Sequence, residues 1–278
     1  MKPFKLSPEQ VADYHRDGYL FVRELFDREE MALLLEIAKS DREMQREARE
    51  LRRGEERPKE KLISVRDGNG AETKLWLSDE LEAGVYSAIV RCPRLVNTME
   101  VLLGDEIYHY HHKMMLKEPR VGGAWEWHQD YGYWYDMGCL YPDMASCMLA
   151  VDRATQANGC LQVIRGSHHL GRINHGAAGS QAGADMERVQ VALARLELVY
   201  AEMEMGDALF FHANLLHRSD ANLSPDSRWS FISCYNTKHN DPYTEKGHQQ
   251  YAPLEKWTDE EVLETARRQL EERKALNV

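Results

Sequence analysis

Residues 107–117 read IYHYHHKMMLK, a run rich in Ile, Tyr and Met that contains neither glycine nor proline. Such a run predicts a long β-strand. It opens a series of short apolar segments separated by turn residues, which we predict as strands at 124–130, 145–152, 160–165, 197–204, 208–212 and 229–236. Many short strands with intervening turns are typical of an antiparallel sandwich or barrel. The middle of the chain is therefore predicted to be mainly β.

Helical segments flank this β region. Ser7-Pro8-Glu9-Gln10 has the pattern of a capping box with proline at the first helical position, so we expect a helix to about Arg16 that stops at Gly18. A short strand should follow at 19–22, and further helices are predicted at 27–50, at 79–104 with an interruption at Cys92-Pro93, and at 258–276. We expect one domain, with a helical N-terminal part at 1–104, a β core at 105–240 and a C-terminal helix at 255–278.

Composition and charge narrow the function classes. Hydrophobic residues make up 43% of the 278 residues, an ordinary share for a soluble protein. No apolar stretch is long enough for a transmembrane helix, and the N-terminus does not resemble a signal peptide. A net charge of −11 argues against nucleic acid or an anionic membrane as a partner. The five cysteines are odd in number and form no C-x-x-C pair, so we expect reduced thiols and a cytoplasmic protein.

Two segments carry no clear periodicity. Residues 42–61 are nearly all charged, which indicates a solvated helix end followed by a mobile loop. Gly171 to Asp185 is rich in glycine and alanine and predicts a long flexible loop. Loops of that length in compact domains are usually functional or disordered, so this segment is a candidate lid.

A possible metal site begins at Trp127-His128-Gln129-Asp130. In an extended strand, residues i and i+2 point to the same face, so His128 and Asp130 can present a nitrogen and an oxygen to one metal. His217 is the best third ligand because a strand ends close to it. Two histidines and one carboxylate leave three coordination positions open, which suits iron(II) with a bidentate 2-oxoacid and dioxygen. A lone H-x-D motif is weak by itself, and a strand-end histidine bonded to Asp130 is the structural alternative.

Arg228 opens the strand that follows His217. A guanidinium there could pair in bidentate fashion with the distal carboxylate of 2-oxoglutarate. The structural alternative is a surface arginine paired with Asp226. Together with the H-x-D motif and the distal histidine, the pattern favours the co-substrate role.

The motifs taken in order resemble the phytanoyl-CoA dioxygenase superfamily of iron/2-oxoglutarate oxygenases, including its ectoine-hydroxylase-like members. The matching segments are WHQD at 127–130, NGCLQVIRGSH at 158–168, GDALFFH at 206–212, His217 with Arg228, and DGYL at 17–20. The resemblance spans roughly residues 7–240. It implies a double-stranded β-helix core of the jelly-roll or cupin type with flanking helices. It also implies Fe(II), 2-oxoglutarate and O2 as cofactors, the iron ligands His128, Asp130 and His217, and Arg228 as the 2-oxoglutarate anchor.

The resemblance suggests further residues that bind the co-substrate. Ser219 lies where relatives often bond the 2-oxoglutarate carboxylate, and Lys113 lies where relatives place a residue facing the co-substrate. Strand alternation leaves open whether Lys113 faces inward or faces solvent. Ser230 is a weaker candidate of the same kind. Relatives that halogenate have a small residue at the position of Asp130, so its carboxylate implies hydroxylation or another oxidation without halide incorporation.

The substrate is predicted to be a small molecule of unknown identity. Tyr133, Trp134 and Tyr135 follow the first two ligands and are candidates for the pocket wall, whereas Trp125 and Trp127 are better explained as core residues. Two rival functions remain at this stage. One is a cupin-like hydrolase or isomerase that uses zinc or manganese, and the other is a catalytically silent β-barrel that binds a ligand. Oligomeric state is left open.

Overall fold

The run 107–117 forms a central strand of an eight-stranded sheet in the computed structural model, which describes residues 4–41, 44, 46–51, 60–178, 181–244 and 250–276. Strands of the described residues are β1 (Tyr19–Val22), β2 (Arg49–Glu50), β3 (Leu62–Arg66), β4 (Glu72–Ser78), β5 (Ile107–Lys117), β6 (Trp125–His128), β7 (Met144–Ala150), β8 (Leu161–Ile164), β9 (His175–Ala178), β10 (Gln181–Ala184), β11 (Leu198–Ala201), β12 (Ala208–His212), β13 (His217–Ser219) and β14 (Arg228–Thr237). Helices are α1 (Pro8–Asp17), α2 (Arg28–Ser40), α3 (Val85–Val90), α4 (Pro93–Leu103), α5 (Asp130–Trp134), α6 (Met186–Leu193) and α7 (Asp259–Leu276).

Two sheets enclose the space in which the predicted ligands lie. The large sheet has the strand order β1-β12-β7-β14-β5-β4-β3-β2, and the small sheet has the order β11-β8-β13-β6. The strands around the predicted ligands pair in antiparallel fashion, even where they are distant in the chain, as β5 and β14 are. The β core is therefore the predicted double-stranded β-helix, with helices packed outside the large sheet.

Alternation along the strands divides the core between the two faces of the large sheet. Phe210 and Phe231 point outward to the layer that contains α2, α3, α4 and α7. Their neighbours Phe211 and Ile232 point inward to the layer between the sheets. Successive side chains of a strand lie on opposite faces of the sheet. Both faces of the large sheet are apolar here, because one packs against the helices and the other against the layer between the sheets.

Most predicted element types are confirmed. Helix α1 has the expected capping box between Ser7 and Gln10, and it ends at Gly18 in the left-handed conformation with φ of 82°. The strands predicted at 107–117 and 208–212 have the predicted limits. The predicted C-terminal helix is α7, which packs against α2 and α3. All five cysteines are buried and free.

Three predictions for the N-terminal part need correction. The helix predicted at 27–50 ends at Ser40, and Asp41 follows in an extended conformation. The N-terminal part predicted to be helical also supplies strands β2 to β4, which extend the large sheet beside β5. The mobile loop predicted at 42–61 contains β2 at Arg49–Glu50, paired in parallel with β3, while most of that segment lies outside the described residues.

The segment 171–185 is a β-hairpin, not the flexible loop that its composition predicted. Strands β9 and β10 pair with each other, and residues 179–180 between them lie outside the described part. The side chain of Gln181 accepts from Glu126 N at 2.9 Å and donates to the carbonyl of Ala124 at 3.0 Å. The hairpin is thus fastened to the strand that carries His128. Among the described residues, no helix is both long and apolar enough to cross a lipid bilayer.

Candidate active site

Two strands of the small sheet bring the predicted histidines together. His128 at the end of β6 lies directly opposite His217 at the start of β13, with ring centroids 4.0 Å apart. Strand β6 was predicted to reach residue 130 but ends at His128, and Asp130 is the first residue of α5. Gln129 between them is still extended, with φ of −114° and ψ of 135°, so the two side chains converge as the alternation argument requires.

The donor atoms of these residues fit one metal ion. Asp130 Oδ1 lies 3.6 Å from His128 Nε2 and 3.7 Å from His217 Nε2. All three ligand atoms lie within 4.8 Å of one another, and the three residues are buried. A search of the described residues for three or more histidine, cysteine or carboxylate side chains that could hold one metal ion finds this group. Two imidazoles and a carboxylate on one face are the donor set of the non-haem iron(II) oxygenases.

The hydrogen bonds of the two histidines orient them for metal binding. His128 Nδ1 lies 2.8 Å from the carbonyl of Glu126, and His217 Nδ1 lies 2.8 Å from the carbonyl of Leu215. A carbonyl can only accept, so each Nδ1 carries a proton, and Nε2 is the nitrogen of each ring that faces Asp130 and is placed to bind a metal. Burial, followed by the nearby His128, lowers the pKa of His217 to about 3, so this imidazole is neutral at physiological pH.

Asp130 is held as a carboxylate. Burial opposes its ionisation, but the adjacent His128, His217 and Lys113 outweigh that effect and hold the pKa of Asp130 below its usual range. Its second oxygen, Oδ2, accepts a hydrogen bond of 2.7 Å from Ser146 Oγ on β7. Oδ1 is thereby left to face the two histidines. The sequence analysis did not identify Ser146, since no local pattern connects β7 with α5.

We expect the substitution Ser146→Ala to weaken iron(II) binding by about 10- to 100-fold, the usual effect of losing a hydrogen bond behind a metal ligand. The substitution removes the group that orients the Asp130 carboxylate. Metal titration of the apoprotein followed by fluorescence or calorimetry measures the effect. Ser40→Ala is a matched control, because Ser40 lies at the end of α2, where its hydroxyl donates to the carbonyl of Ile37 and accepts from Arg273 Nη1 and contacts none of the candidate ligands. Equal iron affinities for the Ser146 variant and the wild type would contradict this role.

Arg228 is buried in the space between the sheets with 1% of its surface exposed. Its Nη1 donates to the carbonyl of Gly159 at 2.6 Å, and its Nε has no hydrogen-bond partner among the described residues. The suggested surface pair with Asp226 is wrong, because Arg228 is not at the surface and its Nη1 is bonded to Gly159. Burial lowers the pKa of Arg228 to about 10.

Lys117 is a residue of the same pocket that the sequence analysis missed. It pairs directly with Arg228 across β5 and β14 and is fully buried. Its Nζ donates to Ser219 Oγ at 2.8 Å and to the carbonyl of Asp220. The alternation that places His111, Lys113 and Met115 on one face of β5 extends to residue 117, and this could have revealed it. Ser219, which was predicted, lies beside this pair of cations.

Lys113 faces inward, which the alternation argument had left open. Its Nζ lies 5.7 Å from the ring centroid of Trp125, and its charge acts on Asp130 and His217. Trp125 in turn lies 6.0 Å from the His128 ring, so it borders the site and is not simply a core residue. The reason is a register shift: two residues on β13 span three on β6, and this bulge turns Trp125 toward the face of His128.

The other residues predicted to line the site differ in their distance from it and in their burial. Ser230 is buried on β14, and its hydroxyl has no partner among the described residues. The Tyr133 ring lies 5.8 Å from His128, and its hydroxyl donates to Ala182 of the hairpin at 2.6 Å. Trp134 is buried against Tyr110, whereas Tyr135 is exposed and stacks with Arg172. Tyr133 therefore lies at the site, and Tyr135 lies at the surface.

Comparison with known proteins is consistent with this geometry. Residues 14–230 match the model of the phytanoyl-CoA dioxygenase (PhyH) family. The chain belongs to this family. It is 30% identical over 205 residues to L-proline trans-4-hydroxylase of Streptomyces griseoviridis, covering 68% of this chain and 75% of that protein. It is 28% identical over 247 residues to ectoine dioxygenase of Bordetella parapertussis, covering 84% and 77%.

A solved structure shows the same fold. EctD from S. alaskensis with 2-oxoglutarate and 5-hydroxyectoine matches with a TM-score of 0.72 and 22% identity, covering 91% of this chain and 88% of that one. As a member of the phytanoyl-CoA dioxygenase family, the protein is an iron(II)- and 2-oxoglutarate-dependent dioxygenase with O2 as the further co-substrate. This membership sets aside both rival functions, the cupin-like hydrolase or isomerase with zinc or manganese and the catalytically silent β-barrel.

Proposed function

We propose that His128, Asp130 and His217 bind the iron(II) ion and that the protein hydroxylates a small-molecule substrate. The observation that carries the proposal is a buried group of possible metal-binding atoms near the buried guanidinium of Arg228, whose Nε has no hydrogen-bond partner among the described residues. Lys117 connects the two, because it lies opposite Arg228 and its Nζ donates to Ser219 on the strand of His217. A buried charge without a partner is costly, so it is retained where a ligand of opposite charge completes it. A dicarboxylate that reaches from the iron to Arg228 meets this requirement.

The spacing of the pocket fits 2-oxoglutarate. Ser219 lies two residues after His217 on β13, and two residues of a strand span roughly 7 Å. This is comparable to the length of a five-carbon dicarboxylate. We propose that Arg228, Lys117 and Ser219 hold its distal carboxylate while Lys113 and Ser230 line the path toward the iron. Arg228 is suited to this task because its planar fork can bind a carboxylate in bidentate fashion.

When bound, iron(II) supplies the activation of O2 that is coupled to oxidative decarboxylation of 2-oxoglutarate to succinate and CO2. The chain contributes orientation and exclusion of water. His128, His217 and Asp130 would hold the metal through three donor atoms and would leave further coordination positions to the co-substrate and O2. Tyr133, fastened to the hairpin, and Trp125 wall the pocket beside His128. Asp130 occupies a ligand position, which supports hydroxylation over halide transfer.

The substrate is proposed to be a small polar molecule of the size of an amino acid or a cyclic amino-acid derivative. The relatives named above act, according to their names, on L-proline and ectoine. Trp134 and Tyr135 were predicted as further wall residues. We propose that Trp134 supports the wall from behind, because it is buried against Tyr110, and that Tyr133 alone of the three contacts the substrate.

The test is succinate formation by anaerobically purified protein supplied with iron(II), 2-oxoglutarate, air and a panel of amino acids and cyclic amines. We expect a substrate that stimulates succinate release and gains one oxygen atom, measured together by chromatography and mass spectrometry. Omission of 2-oxoglutarate or addition of a chelator should stop both signals. Substrate conversion that continues without 2-oxoglutarate would contradict the proposal.

We also propose that the chain folds as one domain and resides in the cytoplasm. One apolar cluster joins residues of α2, α4, the large sheet and α7, which supports a single cooperative unit. Five buried, unpaired cysteines support a reducing compartment. A single calorimetric unfolding transition, and recovery of the native protein in the cytosolic fraction, would check these two points.

A further inference from the structure

Lys117 and Arg228 are like charges placed directly opposite each other on neighbouring strands. Like charges in this position are unfavourable even on a solvated sheet. Here the side chains of Lys117 and Arg228 are 0% and 1% exposed, so water cannot screen them. Where a protein breaks a local rule such as the avoidance of paired like charges, the position is often part of a functional site.

No described acid forms an ion pair with either cation. Asp67 uses both carboxylate oxygens on backbone N–H groups, those of Asn69, Ala71 and Ala124. Asp220 is half-exposed and pairs with Arg218 at 3.1 Å, while only its backbone carbonyl meets Lys117.

On the side of Arg228, Asp152 accepts from Trp229 N and Ser227 Oγ, and the Cys160 thiol lies nearby. Burial raises the pKa of Cys160 to about 11, so this thiol is uncharged at physiological pH. Asp67 and Asp220 act on Lys117, and Asp152 acts on Arg228, only at longer range, so neither cation has a carboxylate within ion-pair distance among the described residues.

The hydrogen bonds of Lys117 match those of an uncharged amine. A neutral amine has two N–H groups, and two acceptors contact Nζ, namely Ser219 Oγ and the carbonyl of Asp220. An ammonium has a third N–H, for which the described residues offer no acceptor. Burial, followed by the charge of Arg228, holds the pKa of Lys117 well below its usual range. Arginine holds its proton far more tightly than lysine, so Lys117 is the member of the pair that gives up its proton.

We propose that Lys117 is a second anchor of the distal carboxylate, uncharged in the open pocket and protonated from solvent when 2-oxoglutarate enters. The inference rests on the proposed function, since it assigns the distal carboxylate to this pocket. The step is a simple protonation: the amine lone pair of Nζ takes one proton from water or buffer, and the third N–H so formed donates to the carboxylate. Binding of this ligand is then coupled to proton uptake, and its affinity falls as pH rises.

The test measures the protons taken up when ligand binds. Anaerobic iron(II)-loaded protein is titrated calorimetrically at pH 8 with 2-oxoglutarate in two buffers of different ionisation enthalpy. We expect uptake approaching one proton, and a dissociation constant that rises by up to about tenfold per pH unit above neutrality. The comparison ligand is 2-oxobutyrate, which can chelate the metal in the same way but has no distal carboxylate. It should bind without proton uptake.

The variant Lys117→Met separates this role from a purely structural one. It should retain 2-oxobutyrate binding but bind 2-oxoglutarate more weakly, with no proton uptake and a flat pH profile. Lys74→Met is the matched control, because Lys74 lies on the adjacent β4 and pairs with Glu118 at 3.2 Å outside the pocket. The control should keep the wild-type proton uptake.

The outcomes distinguish the two proposals. If 2-oxoglutarate binds without proton uptake, or if uptake persists in Lys117→Met, the inference on Lys117 is overturned while the proposed function stands. If neither 2-oxoacid binds, the proposed function itself fails. Should the Lys117 variant not fold, the difference in proton uptake between the two ligands of the wild-type protein decides the matter.

Discussion

Replacing His217 by alanine is expected to abolish measurable 2-oxoglutarate-dependent succinate formation. The imidazole supplies one of the three buried atoms proposed as iron ligands, and its Nε2 lies 3.7 Å from Asp130 Oδ1. Changes behind a metal ligand typically cost about 10- to 100-fold, so loss of a ligand itself should cost more. The same result is expected for His128→Ala. Iron content after desalting and the visible absorbance of the iron(II)–2-oxoglutarate complex measure the effect directly.

A matched histidine outside the site controls for general damage to the fold. His169 is exposed and stacks on His168, with ring centroids 3.9 Å apart, and none of its atoms belongs to the metal-binding group. His169→Ala should retain iron binding and turnover. The variants His128→Ala and His217→Ala should also remain folded. Each substitution removes a buried polar group, and this offsets part of the packing that is lost with the imidazole. Full iron binding by folded His217→Ala would refute the ligand assignment.

Arg228→Met is expected to raise the KM for 2-oxoglutarate by about 10²- to 10³-fold, corresponding to ~3–4 kcal/mol of lost binding. The side chain is buried, and its Nε has no protein partner among the described residues, so it is free to donate to a carboxylate. Iron binding should be retained, because Arg228 provides no ligand atom to the metal. Steady-state kinetics with varied 2-oxoglutarate, and iron titration of the same sample, separate the two effects.

The Arg228→Met substitution should weaken 2-oxoglutarate binding without lowering the thermal stability of the ligand-free protein. Replacing a buried, uncompensated charge by an apolar side chain of similar length is commonly neutral or stabilising. Thermal unfolding of ligand-free Arg228→Met should therefore occur at the wild-type temperature or above it. Arg218→Met is a suitable control: Arg218 lies on β13, beside the site, but its side chain pairs with Asp220 and is one-third exposed. An unchanged KM in Arg228→Met would show that the distal carboxylate binds elsewhere.

The contact between Arg228 and the distal carboxylate can also be tested by changing the ligand instead of the protein. The affinity of Arg228→Met for 2-oxobutyrate should equal that of the wild type, since this ligand makes no use of the guanidinium. The wild-type preference for 2-oxoglutarate over 2-oxobutyrate should then disappear in the variant. A variant that loses affinity for both ligands equally would have lost the shape of the pocket and not a specific contact.

Much of the candidate site was predictable because the residues proposed as iron ligands follow simple sequence rules. The alternation of an extended segment places His128 and Asp130 on one side, and this holds even though Asp130 begins a helix. The order of motifs along the chain supplied His217 and Arg228. Composition was a poorer guide: the glycine- and alanine-rich segment 171–185 forms a hairpin because its backbone pairs across β9 and β10 and Gln181 fastens it to β6.

The residues that the sequence analysis missed depend on partners far along the chain. Ser146 becomes relevant because β7 lies under the first turn of α5. Trp125 turns toward His128 because of a bulge that only the pairing of β6 with β13 defines. Neither fact is contained in the residues next to Ser146 or Trp125.

The amino-acid sequence by itself determined the strand pattern, because alternation and capping are properties of neighbouring residues. The order of motifs along the chain then indicated the three candidate ligands and the candidate anchor Arg228. Only the tertiary structure decided that Lys117 lies against Arg228 and that both are buried. The physical reason is register: pairing of β5 with β14 sets which side chains meet, and closure of the two sheets sets the dielectric environment in which their charges interact.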